Sequence, residues 1–133
     1  MEPARPAALR RRILARVAAE VAADRAVTTV PASDSGWTEL LPKVRAKRVF
    51  TDGTAESWLV RLEAGARAPA HEHPGTEECV VLEGSIRYIG GSVLKAGDFE
   101  AVQAGGRHAE LVSDSGALVF LRYALPLDRY IAI

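Results

Sequence analysis

The spacing of apolar residues divides the chain into two parts. In the first part apolar residues recur every four positions, at Leu9, Ile13, Val17 and Val21. This period predicts one amphipathic α-helix over residues 7–24, with alanines filling much of the remainder. The arginines of this segment fall mostly off the apolar stripe, so the predicted helix is basic as well as amphipathic.

The amino-acid composition changes after the predicted helix. Residues 26–36 are rich in Thr, Ser, Pro and Gly and are predicted to be a linker. Short runs of β-branched and apolar residues follow, each closed by Gly, Asp or Pro. The predicted strands are 37–40, 44–50, 56–63, 68–72, 77–83, 85–90, 99–102, 107–113 and 117–124. Many short strands without intervening helices predict an all-β antiparallel sandwich or barrel.

Length and composition limit the organisation and the partners of the chain. Its 133 residues, 48% hydrophobic and 26% charged, fit one globular domain, predicted at residues 37–133 after a helical arm at 1–25 and the linker at 26–36. The 17 basic and 17 acidic residues balance, so bulk charge supports neither a nucleic-acid nor a membrane partner. A single cysteine excludes an intramolecular disulfide. Since no apolar run suits a membrane span or a signal peptide, we expect a cytoplasmic protein.

The three histidines of the chain are the leading candidates for chemistry. His71 and His73 lie two residues apart, which places both imidazoles on the same side of a strand. Glu77 adds a carboxylate shortly afterwards, and His108 offers a fourth ligand from a later Gly-punctuated stretch. Imidazoles and a carboxylate suit zinc, iron(II), manganese(II), nickel(II) or copper(II). The pattern predicts a site for one divalent transition metal.

Strand alternation bears on the residues that follow the His-x-His pair. Glu77 and Glu78 are neighbours and face opposite sides, so only one of them can be a ligand, and the spacing favours Glu77. Cys79 shares the parity of Glu77 and is predicted to point into the barrel. It is either a small buried side chain or a soft ligand or redox reporter near the metal. Tyr88 could reach a pocket, but a solvent-facing position on the sheet is the commoner outcome for such a residue.

Two spacings together resemble the paired signature of the cupin superfamily, small β-barrels that hold a metal with three histidines and one glutamate. The first runs through Gly65, His71, His73, Glu77 and Gly84, and the second through Gly97, Gln103, Gly105 and His108. The resemblance implies a jelly-roll barrel and the metal ligands His71, His73, Glu77 and His108. The second motif departs from the pattern at Gln103, where proline is usual, and at Val112, where asparagine is usual.

Segments around the first motif narrow the resemblance to the ChrR-like cupins. These segments are Trp37 to Val44, Leu59 to His71 and Glu77 to Gly84. In that family the cupin is the sensory half of a zinc-binding anti-sigma factor, whose other half carries its own His/Cys zinc site. No histidine or cysteine precedes Gly36 here, so inhibition of a sigma factor does not follow from the resemblance.

Two functions lead after this step, and a third class, a structural dimer that keeps its fold and melting temperature without metal, stays open. The favoured one is a metal-binding cupin with a sensing or regulatory role and zinc as the preferred metal. The alternative is an iron(II)-dependent dioxygenase acting on a small dicarbonyl compound, since cupin enzymes of that kind use the same ligands. A tetrahedral shell of four protein ligands would suit the first, and an octahedral shell with two open positions would suit the second. The barrel could also hold a small-molecule ligand.

The N-terminal helix is the candidate surface for association. Its apolar stripe predicts packing on the domain or on a second copy of the chain, and a homodimer is expected. Docking of a different protein on this basic helix is the further alternative.

Overall fold

The computed structural model describes residues 4–124, with side chains from residue 6 onward. The chain divides into two compact units, Met1–Ala32 and Ser33–Ile133. The finer boundaries predicted from the sequence, an arm at 1–25, a linker at 26–36 and a domain at 37–133, stay predictions, because compactness alone does not show where a domain begins to fold by itself.

The first unit contains one helix, α1, which spans Ala4–Arg25. The predicted helix at 7–24 is therefore confirmed, and it begins three residues earlier than predicted. The apolar stripe at Leu9, Ile13, Val17 and Val21 is between 42% and 57% exposed. The prediction that a second copy or another protein covers this stripe stays a prediction.

The second unit consists of antiparallel strands, and the described residues of this unit contain no helix. The strands are β1 (Thr38–Leu41), β2 (Val44–Thr51), β3 (Ala55–Leu62), β4 (Ala66–Ala68), β5 (His71–Glu72), β6 (Glu77–Tyr88), β7 (Val93–Lys95), β8 (Phe99–Val102), β9 (Arg107–His108), β10 (Leu111–Ser113) and β11 (Ala117–Ala124). Nine of them form a sheet in the order β1-β2-β3-β11-β6-β10-β4, in which β7 and β8 also pair with β6. The remaining two, β5 and β9, pair with each other. The result is a nearly closed, barrel-like sheet, as the all-β prediction required.

Strand β6 is the central element of the barrel, because it pairs with four other strands. Its first half pairs with β8 and β11, and its second half pairs with β7 and β10. Gly84 joins the halves with a φ of +70°, a left-handed conformation that glycine adopts without strain. The register against β11 skips Leu82, which marks a β-bulge just before this point. The bulge and the glycine let one strand serve both sides of the barrel.

The core fills the space between the strands of this barrel. In the first half of β6, Glu77, Cys79 and Val81 are buried, whereas Glu78 and Leu82 are exposed. This alternation confirms the predicted inward parity of Cys79. The buried cluster comprises Val44, Leu62, Ala66, Cys79, Val81, Ile86, Leu94, Ala117 and Val119.

Some predicted strand boundaries were wrong. The predicted strands 77–83 and 85–90 are the single strand β6, because Gly84 bends the chain without ending the strand. The predicted strand 68–72 is two strands, β4 and β5, and 107–113 is likewise β9 and β10. In both cases the chain leaves the large sheet so that β5 and β9 can pair separately. Strand β7 was missed, and it forms the short hairpin after β6.

Between residues 4 and 124, no helix has the length and apolar content needed to cross a bilayer.

Candidate metal centre

The small two-stranded sheet carries two of the three histidines. His71 on β5 lies directly opposite His108 on β9. The third, His73, is fixed by two backbone hydrogen bonds: its N–H donates to the carbonyl of Gly106 (2.8 Å), and its carbonyl accepts from the N–H of Gly105 (2.7 Å). Gly106 has to be glycine here, since a Cβ would lie 2.7 Å from Cγ1 of Val102. The Gly105-Gly106 turn therefore brings His73 beside the other two histidines.

The three imidazoles form one cluster. Their candidate ligand atoms all lie within 4.8 Å of one another. The ring centroids are 4.2 Å apart for His71 and His108, 4.6 Å for His71 and His73, and 4.8 Å for His73 and His108. His73 is fully buried, and the other two are half-buried. Three imidazoles at this spacing could hold a metal ion.

Backbone carbonyls fix the orientation of two of the rings. Nδ1 of His71 lies 3.0 Å from the carbonyl oxygen of Pro69, and Nδ1 of His108 lies 2.9 Å from that of Ala109. A carbonyl only accepts, so each Nδ1 carries the hydrogen and each Nε2 keeps its lone pair. Burial lowers the pKa of His71, which favours the neutral ring. In the neutral tautomer with hydrogen on Nδ1, each ring can offer Nε2 to a metal ion.

Glu77 contacts this cluster from the first position of β6. It is 8% exposed, and its Oε2 lies 2.9 Å from Nδ1 of His73. Among residues 4–124, this buried oxygen accepts no hydrogen bond of adequate geometry. Its neighbour Glu78 is exposed. The structure thus places Glu77, and not Glu78, beside the histidines, in agreement with the strand parity.

Cys79 lies two residues after Glu77 on β6 and faces the same side of the strand. It is 5% exposed, and burial raises the pKa of its thiol to about 12, with smaller contributions from the carboxylates of Glu77 and Glu100. The cluster of candidate ligand atoms comprises the three histidines and does not include Cys79. This favours the interpretation of Cys79 as a small buried side chain.

A cavity of about 140 Å³ opens beside the histidines inside the barrel. Its walls are mainly apolar, with His71, His108, Glu77, Cys79 and Tyr88 among the polar or reactive groups. The remaining lining residues are Leu40, Leu41, Val44, Val60, Leu62, Ala68, Pro69, Ile86, Leu111, Val119, Leu121 and Tyr123. The cavity has room for a small molecule in contact with the site.

Two residues near the site were not identified as functional from the sequence. Tyr88 lines the cavity instead of facing solvent, and its hydroxyl donates a hydrogen bond to Glu100 on β8. Burial and this hydrogen bond raise the pKa of Tyr88, so the phenol stays protonated. Glu100 is brought near Tyr88 by the pairing of β8 with β6, in which it lies opposite Cys79, and the sequence holds no signal for this register.

A jelly-roll barrel with three clustered histidines beside an internal cavity defines the cupin class. The family model of the ChrR cupin-like domain matches residues 25–125, and the chain belongs to this family. The resemblance found in the sequence is thereby confirmed. No curated protein matches the chain.

Solved structures agree with this assignment. A chain of the Rhodobacter sphaeroides complex of SigE with the anti-sigma ChrR is similar at 28% identity and a TM-score of 0.62, over 71% of this chain and 52% of that one. This chain thus spans about half the length of that relative. An acetylacetone dioxygenase from Acinetobacter johnsonii is similar at 16% identity and a TM-score of 0.64, over 74% of both chains. An RmlC-like cupin from Shewanella frigidimarina also has 16% identity and a TM-score of 0.64, over 77% of this chain and 97% of its own. At 16% identity these two likenesses show the fold alone.

Proposed function

We propose that this protein is a sensing or regulatory cupin that binds one divalent transition metal, preferably zinc, through His71, His73, His108 and Glu77. The observation that carries the proposal is the convergence of the three imidazoles at the wall of an internal cavity. When bound, the metal would supply Lewis acidity and open coordination positions. The protein's own residues hold the ligands in place and keep the surrounding space apolar.

The donor set fits such an ion. His71 and His108 present Nε2 lone pairs, because their Nδ1 atoms donate to carbonyls. Oε2 of Glu77 lies 2.9 Å from Nδ1 of His73, so the carboxylate is close enough to share an ion with the histidines. A buried carboxylate oxygen without a hydrogen bond is costly unless a cation or a proton compensates it. These features support a role of Glu77 as the fourth ligand.

A sensing role is supported by the family and by the cavity. The relative with 28% identity is part of a sigma–anti-sigma complex, which supports a regulatory function. No histidine or cysteine precedes Gly36 in this sequence, so the resemblance gives no support for the second zinc site of such anti-sigma factors. We therefore assign to the protein the response to a metal or a small molecule.

Metal titration of matched variants tests this function. Apoprotein, Glu77→Gln and Glu78→Gln are titrated with zinc in competition with a chromophoric chelator. Glu77→Gln should weaken zinc binding by at least about 10-fold, while Glu78→Gln should match the wild type, because Glu78 faces solvent. Equal affinities for the two variants would contradict the assignment of Glu77. Preference for iron(II) over zinc in anaerobic competition would count against the sensing function.

The alternative function, an iron(II)-dependent dioxygenase, is favoured by one observation. The cavity borders His71, His108 and Glu77, so a small chelating compound could reach an ion held there. A bound ferrous ion would supply the oxygen chemistry, and the apolar walls would exclude water and orient the substrate. Oxygen uptake by iron-loaded protein with acetylacetone, absent in His71→Ala, would support the enzyme. No uptake above the variant would exclude this activity for that substrate.

A further inference from the structure

Tyr88 links the large sheet to the small two-stranded sheet that carries His108. His108 sits on β9, a strand of two residues that pairs only with the equally short β5. Tyr88 is the last residue of β6, the central strand of the large sheet. The rings of Tyr88 and His108 pack with centroids 5.2 Å apart and planes tilted by 44°. Tyr88 is therefore a contact between the rigid sheet and the ring of a candidate ligand.

Glu100 holds the other end of Tyr88. The phenol hydroxyl donates to Oε1 of Glu100 on β8 at 2.5 Å, a charge-assisted hydrogen bond in a partly buried position. Strand β8 pairs with the first half of β6, which places Glu100 opposite Cys79. A tyrosine fixed at its hydroxyl has less freedom to rotate or tilt about its side-chain bonds. The packing surface that it offers to His108 is fixed accordingly.

The ring hydrogen bond and the strand pairing of His108 do not connect it to the large sheet. Nδ1 of His108 donates to the carbonyl of Ala109, its own neighbour, and its strand β9 pairs with β5. Strand β10, which follows after two residues, pairs Leu111 with Tyr88. Tyr88 thus restrains both the ring of His108 and the strand that comes after it.

We infer that Tyr88 and Glu100 form a positioning pair that sets the orientation of His108 toward the bound metal. Tyr88 acts through its ring on His108, and Glu100 acts through the hydroxyl of Tyr88. Neither residue is a ligand in this account. The inference rests on the proposed metal site and adds two residues that orient one of its ligands, His108.

Cobalt(II) is the probe for this inference, because its visible absorption reports the number and arrangement of ligands as well as occupancy. The variants are Tyr88→Phe, Glu100→Ala, Glu100→Gln and the double variant Tyr88→Phe/Glu100→Ala. Leu94→Ala is the control, since Leu94 is buried in the core on β7 and does not line the cavity. The thermal unfolding of each apoprotein is recorded in parallel, so that a loss of fold is separated from a change at the site.

Each single change that breaks the hydrogen bond should weaken cobalt binding by about 10-fold and shift the absorption bands in the same way. The double variant should resemble either single variant, because both changes remove the same interaction. Glu100→Gln keeps an acceptor and should recover most of the wild-type affinity and spectrum. Leu94→Ala should lower the melting temperature and leave the spectrum unchanged.

Three results would overturn the inference, and they are distinguishable. If the wild type binds cobalt and Tyr88→Phe and Glu100→Ala bind it with unchanged affinity and spectrum, the pair does not position His108, while the proposed metal site stands. If additive effects appear in the double variant, Glu100 does not act through Tyr88. Failure of the wild type itself to bind cobalt would reject the proposed function together with this inference.

Discussion

Replacement of Gly84 by alanine tests the bend that lets β6 serve both sides of the barrel. Gly84 has a φ of +70°, and a Cβ there would overlap the carbonyl oxygen of Gly116. It would also lie 2.9 Å from the carbonyl carbon of Gly116 and 3.0 Å from Cα of Ala117. All three of these atoms are backbone, so no flexible side chain can move aside. Strand β11 would have to shift, and with it the pairing of Ala117 opposite Gly84.

The magnitude follows from two separable costs. A left-handed conformation costs an alanine about 1 kcal/mol relative to glycine. Steric overlap within a packed sheet adds about 2–3 kcal/mol. We expect Gly84→Ala to lose about 3–4 kcal/mol, a large share of the roughly 5–15 kcal/mol that stabilises a typical domain. Gly90→Ala is the matched control, because Gly90 has a similar φ of +76° and nothing within 4 Å of its Cβ position; it should lose only about 1 kcal/mol.

Urea unfolding of the wild type and both variants measures these values. The free energies are compared from the transition midpoints, provided that the three proteins have the same m-value. A variant with a different m-value would have a changed unfolded state. A difference of less than about 0.5 kcal/mol between Gly84→Ala and Gly90→Ala would refute the reasoning, because both would then reflect conformation alone.

Three further predictions concern a thiol, a turn and the core. Cys79 should resist alkylation at pH 8 in the native protein and react in urea, because burial raises the pKa of its thiol to about 12; equal rates in both states would contradict this. Asp52 accepts hydrogen bonds from the hydroxyl and N–H of Thr54 and from the N–H of Ala55, which lower its pKa. Above pH 3.8, the ordinary pKa of an aspartate, Asp52→Ala should therefore have a lower melting temperature than the wild type. The difference between the two melting temperatures should shrink as the pH falls below 3.8, and a difference independent of pH would contradict the prediction. Val81 is fully buried, so Val81→Ala should cost about 2–3 kcal/mol in urea unfolding, and a loss below about 1 kcal/mol would show that the core can collapse around the change.

The sequence allowed prediction of those parts of the fold that depend on local periodicity. The helix and most strands followed from apolar spacing, and the inward direction of Glu77 and Cys79 followed from strand alternation. The separate pairing of β5 and β9 was not predicted, because it depends on where the chain leaves the large sheet. That departure is a tertiary property, and it divides segments that look like continuous strands.

Tyr88 shows why part of the site escaped prediction. Tyr88 lies an odd number of residues after Glu77 on β6. If side chains alternated regularly between the two faces of this strand, Tyr88 would point out of the barrel. The bulge at Leu82 reverses the alternation, and Ile86 and Tyr88 therefore face inward. The bulge is a property of the pairing with β11, which cannot be deduced from β6 alone. The partner of Tyr88, Glu100, comes from a strand whose register was equally unknown.

The metal site was predicted partly from local spacing and partly from residues far apart in the sequence. The spacing of His71 and His73 placed them together, whereas His108 was added because of the resemblance and the Gly-rich stretch before it. The structure brings all three together, and it supplies the carbonyls of Pro69 and Ala109 that fix two of the rings. Residue types alone do not determine which metal is bound, because these donors suit several ions.

Elemental analysis tests the central claim most directly. The protein is purified without affinity-metal contact and without chelator, alongside His71→Ala, and circular dichroism confirms the fold of both. The account predicts one transition metal ion per chain in the wild type, preferably zinc, and its loss in the variant. No metal in either sample, even after reconstitution with zinc or iron(II), would contradict the claim that the three histidines form a metal site.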